Sequence, residues 1–458
     1  MQRSRKRPIP ELISIQDYLI PQRCISMIHR IALLLVIIPT CIALEANAQK
    51  RNKIITYYDS AKNVPKEEYF VVGNDSTAIT GKYLRFHRDG SVAAKGKFID
   101  GMAQGEFREY YPDGDLQRIL TFKNNAKTGP MKAYDHQGRL IQVGTFVNDT
   151  LQGKVETYFK DGTVKSRTNF KEGMPDGKIE YFYPSGVLRQ MITYKSGKQN
   201  GESATYYENG KLKTREFYTN GLLDGPSRTF FQNGQLNSEA NFTKGGQTGT
   251  ARSFNRSGVL LREENFKDGF RHGVAKTYAA NGQVLSVRRY ANGKKVGLHE
   301  FFTEDGTLRK TEQYLEEGVN MTTYHPNGQV KALKYYNKKE QPVNTWQTFY
   351  PNGQKQSETP YTAGKKNGRV VEYHPDGQVK REVSVKLGRK SQQEKTYYEN
   401  GQLQSVTTYY FGQKQGPYKA YFPTGQLKVQ GEYRGDEKTG TWIRYNESGD
   451  TLEENQYP

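Results

Sequence analysis

Cysteine is close to absent from this 458-residue chain. The two that exist, Cys24 and Cys41, both precede the cleavage site described below. Beyond that site the chain has no disulfide, no thiolate nucleophile and no cysteine-ligated metal. Apolar residues are sparse too. They make up 34% of the sequence, against roughly 45–50% in ordinary soluble domains. So little apolar material argues against a thick two-layer core. Helical periodicity is missing from the chain after residue 48, and so is any Gly-x4-Gly-Lys-[Ser/Thr] phosphate loop opening a helix. Tyrosine (33) and glycine (46), by contrast, are plentiful. Disordered chains are poor in aromatics, so a thin structure held by aromatic stripes is expected.

The formal charge is +20. Such a balance suits nucleic acid, anionic lipid or an acidic polymer. Here Lys and Arg are interspersed with Glu and Asp in every repeat, and no long basic block occurs outside Arg3–Arg7 and Gln49–Lys53. The excess therefore reads as a solvated charged surface, and nucleic acid is not an expected partner.

Met27-Ile-His-Arg30 is a short basic start. Ile31–Ile38 is an unbroken apolar run, extended past Pro39 by Cys41–Leu44, and Ala46-Asn47-Ala48 is a small-x-small cleavage site. These are the three parts of a secretory signal peptide, residues 27–48, cleaved after Ala48. The run is short for a transmembrane span. Residues 1–26 read as an over-extended start ahead of Met27. Removing residues 1–48 leaves 62 basic against 45 acidic groups, a formal +17. The expected location is the periplasm, the outer-membrane surface or the medium.

The remainder is repetitive. Gly90, Gly114, Gly138, Gly162, Gly186, Gly210, Gly234, Gly258, Gly282 and Gly306 are each 24 residues apart. The series resumes at Gly328 and Gly353, after steps of 22 and 25, and continues at Gly377, Gly401, Gly425 and Gly449. Four residues before each of these glycines stands Phe or Tyr, from Phe86 to Tyr445. Two residues after, Leu or Val dominates, with Lys355 and Thr451 as exceptions. Eight after comes another aromatic, from Phe98 to Tyr457, with Val385 as the departure. A second glycine series, including Gly81, Gly105 and Gly129, marks the other end of the unit and lapses around Asn320–Asn344 and at Gln392.

Tyr111-Pro-Asp-Gly114 and Tyr350-Pro-Asn-Gly353 carry the turn chemistry. Proline suits the second position of a type I turn, and glycine takes the left-handed conformation of the bulge that follows. In that loop the residue four before Gly opposes the residue two after it. Strand alternation then places the aromatic at plus eight on the same face, giving one aromatic–aliphatic–aromatic stripe. The predicted fold is all-β: an elongated, single-layer antiparallel β-meander of about sixteen tandem hairpins, twisted or curled. About 32 strands at roughly 4.8 Å each would extend on the order of 150 Å. Residues 49–80, with plausible strands at Ile54–Tyr58 and Glu68–Val72, are expected to cap the array at residues 81–458. A bulge, a bend or a docking hinge is expected at the register break, about 313–345. Glu453 and Glu454 would blunt the last edge.

Tyr206-Tyr-Glu-Asn-Gly-Lys-Leu212, followed by Tyr218-Thr-Asn-Gly-Leu-Leu-Asp-Gly225, resembles the MORN-repeat variant of bacteria, and Tyr397-Tyr-Glu-Asn-Gly-Gln-Leu403 matches equally well. The pattern is similar to that of proteins labelled YwqK-family antitoxins. The resemblance covers about residues 81–458. It implies a β-hairpin ribbon used for protein or membrane contacts, and the antitoxin label implies an immunity partner for a toxin.

Chemistry is hard to find. His87, His325 and His374 share one repeat position, but the last two stand roughly 19 Å apart, too far for one ion. His136, His272 and His299 look isolated and read as surface histidines. No unique carboxylate pair or nucleophile elbow stands out. An enzyme, a cofactor and a bound metal are not expected. Aromatics recur three residues before the turn glycine: Tyr111, Phe159, Tyr183, Tyr207, Phe231, Tyr350, Tyr398 and Phe422. Exposed beside Lys and Arg, they would form a binding ladder; packed across strands, they would be structural. The expected function is an exported, non-catalytic scaffold that binds protein. Alternatives are an antitoxin or immunity protein, or a binder of anionic lipid or acidic polysaccharide. Nothing in the sequence speaks to oligomeric state.

Overall fold

The computed structural model describes residues 50–73, 75 and 77–458. The expected signal peptide, its cleavage site and the segment ahead of it lie outside the described residues. Residues 51–458 form one compact unit. It contains forty antiparallel strand segments and, among the described residues, no helix. Six segments are two-residue pieces separated from their continuation by a single residue, such as Met102–Ala103 before Gly105–Tyr110. The chain thus runs through thirty-four strands, forty less six, each paired with its neighbours in sequence.

The turns follow from their residues. At all sixteen repeat glycines the Gly N–H donates to the carbonyl three residues earlier, as in Gly114 to Tyr111 at 2.9 Å. The glycine φ values are positive, +90° at Gly114. This is the type I turn with its left-handed bulge residue, which an L side chain would adopt only with strain. The register is the expected one: Tyr110 opposes Leu116, Phe182 opposes Leu188 and Tyr421 opposes Leu427.

The opposite edge uses another turn. Asp100-Gly101, Asn220-Gly221 and Asn292-Gly293 each have two successive positive φ angles, the signature of two-residue type I′ hairpins. The turns at both edges are hydrogen-bonded to the preceding repeat. Gly221 N–H, for example, donates to the Gln199 carbonyl at 2.8 Å.

One expectation fails. The three apolar positions do not share a face, because the register slips one residue between Glu109 and Tyr110 opposite Leu116–Arg118. This bulge reverses the alternation of the second strand relative to the first. Phe122, eight after Gly114, packs on Phe107 with ring centroids 4.8 Å apart. Phe107 is three residues from Tyr110 on an unbroken strand, so it points to the opposite side. Tyr110 instead carries the Lys95 ammonium over its ring, 4.9 Å from the centroid. One face therefore holds the aromatic–aliphatic pairs next to the turn. The other holds a core of Ala103, Phe107, Leu120, Phe122, Met131, Phe146, Leu151, Val155 and Phe170.

This core face changes character along the array. The row that reads Phe107, Leu120, Met131 near the start becomes Ser203, Glu216 and then Arg288, His299, Glu312 in the middle, and returns to Val370 and Val383. The register break is equally local. In an ordinary link, two extra residues bulge between strands; Thr168 opposes Ile179 and Phe170 opposes Pro175. Between Leu308–Leu315 and Gly318–Tyr324 the ladder runs without a shift, so the 22-residue step is a deleted bulge. In the 25-residue step the turn is one residue longer, with Glu340 at φ +57° and its N–H donating to the Asn337 carbonyl. Pairing continues through both. The N-terminal strands fall at Arg51–Tyr57 and Pro65–Val72 and pair with each other and with Ile79–Phe86, extending the meander by one hairpin.

Candidate functional site

The eight aromatics three residues before the turn glycines are half-buried, not exposed. The hydroxyls of Tyr111, Tyr183, Tyr207, Tyr350 and Tyr398 donate to the carbonyls of Tyr134, Tyr206, Phe230, Tyr373 and Tyr421 in the next repeat, at 2.8–3.1 Å. His87, His325 and His374 occupy the same slot. Their Nε2 atoms lie 2.8–3.2 Å from the equivalent carbonyls of Tyr110, Phe349 and Tyr397 and donate to them. Tyr and His have little in common here except a ring that donates a hydrogen bond. Their alternation at one position was the sequence signal of this clasp. Phe159, Phe231 and Phe422 fill the slot without a donor, and Lys428 covers Phe422 at 5.2 Å. Asparagines one residue before the glycine act alongside; the Nδ2 of Asn327, for example, donates to the Pro351 carbonyl at 2.7 Å.

His136 is not isolated. Its Nδ1 lies 2.8 Å from Asp113 Oδ2, and its ring stacks on Tyr111 at 3.8 Å. Ligand atoms of Asp113, Asp115 and His136 lie within 4.8 Å of one another. Hydrogen bonding from His136 is the main cause holding Asp113 below the usual carboxylate range. All three side chains are exposed, and turn capping accounts for them: the Asp113 carboxylate accepts from the Asp115 N–H. Sequence spacing hides this cluster because its members belong to successive turns.

His299 departs furthest from expectation. It is fully buried, at 0% exposure, between Tyr290 and Tyr314, whose ring centroids lie 5.7 and 4.6 Å away. Its Nε2 donates to the Arg289 carbonyl at 2.8 Å. Its Nδ1 and the Arg288 Nε are buried without a partner. Burial holds the imidazole below its ordinary value, while the Arg289 hydrogen bond and the Glu312 carboxylate oppose that shift. Burial also pushes Glu312 up, but hydrogen bonds from Lys310 and Tyr314 outweigh it and leave Glu312 below its usual range. The imidazole is packed on both sides, so no substrate reaches it. The group is a polar plug in the row that is apolar elsewhere.

The opposite face carries ion ladders across successive strands. Arg228 meets Glu239 at 3.4 Å, Glu239 meets Arg252 at 3.5 Å, and Arg252 meets Glu263 at 2.8 Å. A polar groove of about 240 Å³ follows this ladder, lined by Pro226, Arg228, Glu239, Asn241 and Arg252 among others. Another, of about 330 Å³, lies along Arg369, Glu382 and Lys395. Exposed pairs of this kind hold register more than they add stability.

A family model described as MORN repeat variant matches residues 103–124, 151–172, 175–196, 199–220, 223–244, 247–268, 271–292, 319–338, 342–363, 366–386, 393–409 and 414–434, together more than half of the chain. The four hairpins around Gly90, Gly138, Gly306 and Gly449 fall outside these segments and fold in the same way. No curated protein matches the sequence. Among solved structures, the crystal structure of TcdB2-TccC3 aligns at 12% identity over 88% of this chain and 34% of that one, with a TM-score of 0.12. A Photorhabdus luminescens Tc holotoxin pore aligns at 12% identity over 85% of this chain and 30% of that one, with a TM-score of 0.14. The chain thus spans about a third of the length of these solved structures. Scores this low bear on neither fold nor function.

Proposed function

This chain belongs to the MORN repeat variant family, and from that premise we propose that it is an exported, non-catalytic repeat scaffold that holds a protein partner at the cell envelope. The observation that supports this most is how its polar rings are used. The tyrosine hydroxyls and imidazoles three residues before the turn glycines are committed, repeat after repeat, to the backbone of the next repeat. The one buried histidine of the polar row is sealed between two tyrosines. What remains available is broad, polar sheet surface lined by ion pairs, which suits a protein face better than a small substrate. The leader read at residues 27–48 supplies the location.

Export and partner are tested together. The protein is recovered from the envelope and medium of a bacterial host and its N-terminus sequenced; Gln49 is the expected first residue. Recovery of peptides from residues 2–26 would refute that leader. The exported protein then serves as bait in an envelope fraction, where a stoichiometric protein partner is expected. A partner whose toxicity the chain neutralises would replace this reading with that of an immunity protein.

A further inference from the structure

The meander has two end strands. Arg51–Tyr57 pairs on one side only, with Pro65–Val72, and Thr451–Tyr457 pairs on one side only, with Glu437–Tyr445. Among the described residues nothing covers the outer edge of either. Alternation along a strand fixes which backbone groups those edges present. Tyr58 N–H donates inward, to the Val64 carbonyl at 2.9 Å, so Thr56, Ile54 and Asn52 face inward too. Arg51, Lys53 and Ile55 therefore hold their N–H and C=O groups outward. At the other end Asn446 N–H donates to the Asp450 carbonyl at 2.9 Å. By the same alternation Arg444, Trp442 and Gly440 form the hydrogen-bonded pairs with Glu453, Asn455 and Tyr457. Glu454 and Gln456 are left facing outward.

The two edges are complementary. Arg51–Tyr57 holds two cations, Arg51 and Lys53, and no acid; Thr451–Tyr457 holds two acids, Glu453 and Glu454, and no cation. Each also exposes a large apolar side chain, Ile55 at 38% and Leu452 at 57%. A row of unpaired backbone groups is a template for another strand. Acids blunt such an edge against one of like charge, not against a basic one. Direction and face agree as well. The strands number thirty-four, so the first and last run in opposite senses, and a second copy set beside the last strand continues the antiparallel alternation. Thr56 opposes Glu67, which opposes Arg85, two residues from Tyr83 of the core face. Trp442 stands at the repeat position of Phe107 and opposes Asn455. At both ends, then, the inward residues lie on the core face and the outward ones on the other. Both faces stay in phase across the junction.

We propose that copies of this protein join head to tail, the Thr451–Tyr457 edge of one adding to the Arg51–Tyr57 edge of the next. The register that fits sets Glu454 opposite Lys53, Gln456 opposite Arg51 and Leu452 beside Ile55. A slip of two residues one way faces Glu454 with Ile55; a slip the other way sets Leu452 beside Lys53. Lys53 already meets Glu68 on its inner side at 3.1 Å. Glu454 arriving on its outer side extends the acid–cation alternation that runs across strands within the array. Head meets tail, so the contact is heterologous and does not close at two copies. Sheet twist carries it into an open fibre. Thirty-four strands at roughly 4.8 Å each set successive copies about 160 Å apart. This goes beyond the scaffold reading and is independent of it, since the sheet faces stay free for another protein.

The test is sedimentation velocity of residues 51–458, the compact unit that carries every strand, over a concentration series, with electron microscopy of the largest species. Assembly should grow past the dimer with concentration, into fibres that repeat about every 160 Å. Glu454→Lys and Lys53→Glu each set like charges opposite one another and should weaken assembly on the order of tenfold at low salt. Mixed in equal amounts, the two variants should assemble again, because each tail then meets a head of opposite charge. The double variant should assemble by itself. A variant whose edge strand had merely come loose would not be rescued in this way. Ile55→Pro removes an outward N–H and no inward hydrogen bond. It should weaken assembly on the order of tenfold while the thermal midpoint stays put. A chain that stays monomeric at every concentration, assembly that stops at a dimer, assembly that either charge reversal leaves intact, or single variants that mixing does not restore would each overturn the proposal. The envelope pull-down of the unmodified protein reports separately on the scaffold reading.

Discussion

Gly96 offers a sharp test of the core-face packing. Its backbone is ordinary extended strand, so an alanine there meets no conformational penalty. What it meets is Phe107: a Cβ on Gly96 would lie 2.4 Å from the ring Cδ1 and Cε1 and 2.5 Å from Cζ. The ring cannot swing away freely. It is 7% exposed and wedged between Phe98 at 5.8 Å and Phe122 at 4.8 Å. Overpacking of this kind costs about 1–3 kcal/mol. Alanine recovers about 0.5–1 kcal/mol of backbone entropy relative to glycine. Gly96→Ala should therefore destabilise the first repeats by about 1–2 kcal/mol. Repeats feel mainly their neighbours, so the loss should be local. Hydrogen exchange should accelerate across residues 92–123, while the repeats beyond Gly353 keep their protection. Phe107→Leu in the same chain should relieve the clash, with a coupling of at least about 1 kcal/mol in the double-mutant cycle. Gly144→Ala, whose Cβ would lie 3.2 Å from Val155 Cγ2, should cost less. If Gly96→Ala is as protected as the parent, the aromatic-over-glycine packing is wrong.

Two further outcomes can be measured. His299 has a folded-state value below its ordinary 6.5 because burial disfavours the charged ring. Its contribution is therefore fully present above the unfolded value and is lost as pH falls through it towards the folded value. Hydrogen-exchange protection across residues 286–314, taken relative to the intrinsic rate at each pH, should fall as pH drops below about 6.5, and His299→Gln should remove that dependence. Glu312 titrates below its ordinary 4.5 and leaves the window clear. Tyr183→Phe removes the donor to the Tyr206 carbonyl and should cost about 0.5–1.5 kcal/mol in urea titration, with faster exchange confined to the turns at Gly186 and Gly210.

The meander and its register were legible because turn chemistry is local. Pro-Asp-Gly and Pro-Asn-Gly set a type I turn with a left-handed glycine, and that loop alone dictates that Tyr110 faces Leu116. The departures came from bulges. A single extra residue opposite Tyr110 sends Phe122 to the other side of the sheet, so a period-two reading carried past the turn is wrong by one face. The two residues lost near Gly318 carry no mark of their own in the sequence, since deleting a bulge looks the same as any other shift of spacing. The type I′ edge was also missed: at Leu387 and Phe411, each at φ +50°, the residue types contradict the conformation they adopt.

Sequence by itself determined the repeat, the turn type, the strand pairing and the family, all of which depend on residues within one 24-residue unit. Tertiary structure alone decided which face each aromatic occupies, because that depends on how bulges add along paired strands. It also decided that the second aromatic ladder clasps the next repeat's carbonyls and that His299 is sealed and not exposed. Each of these joins residues from successive units, whose distance in space the spacing of the chain does not give.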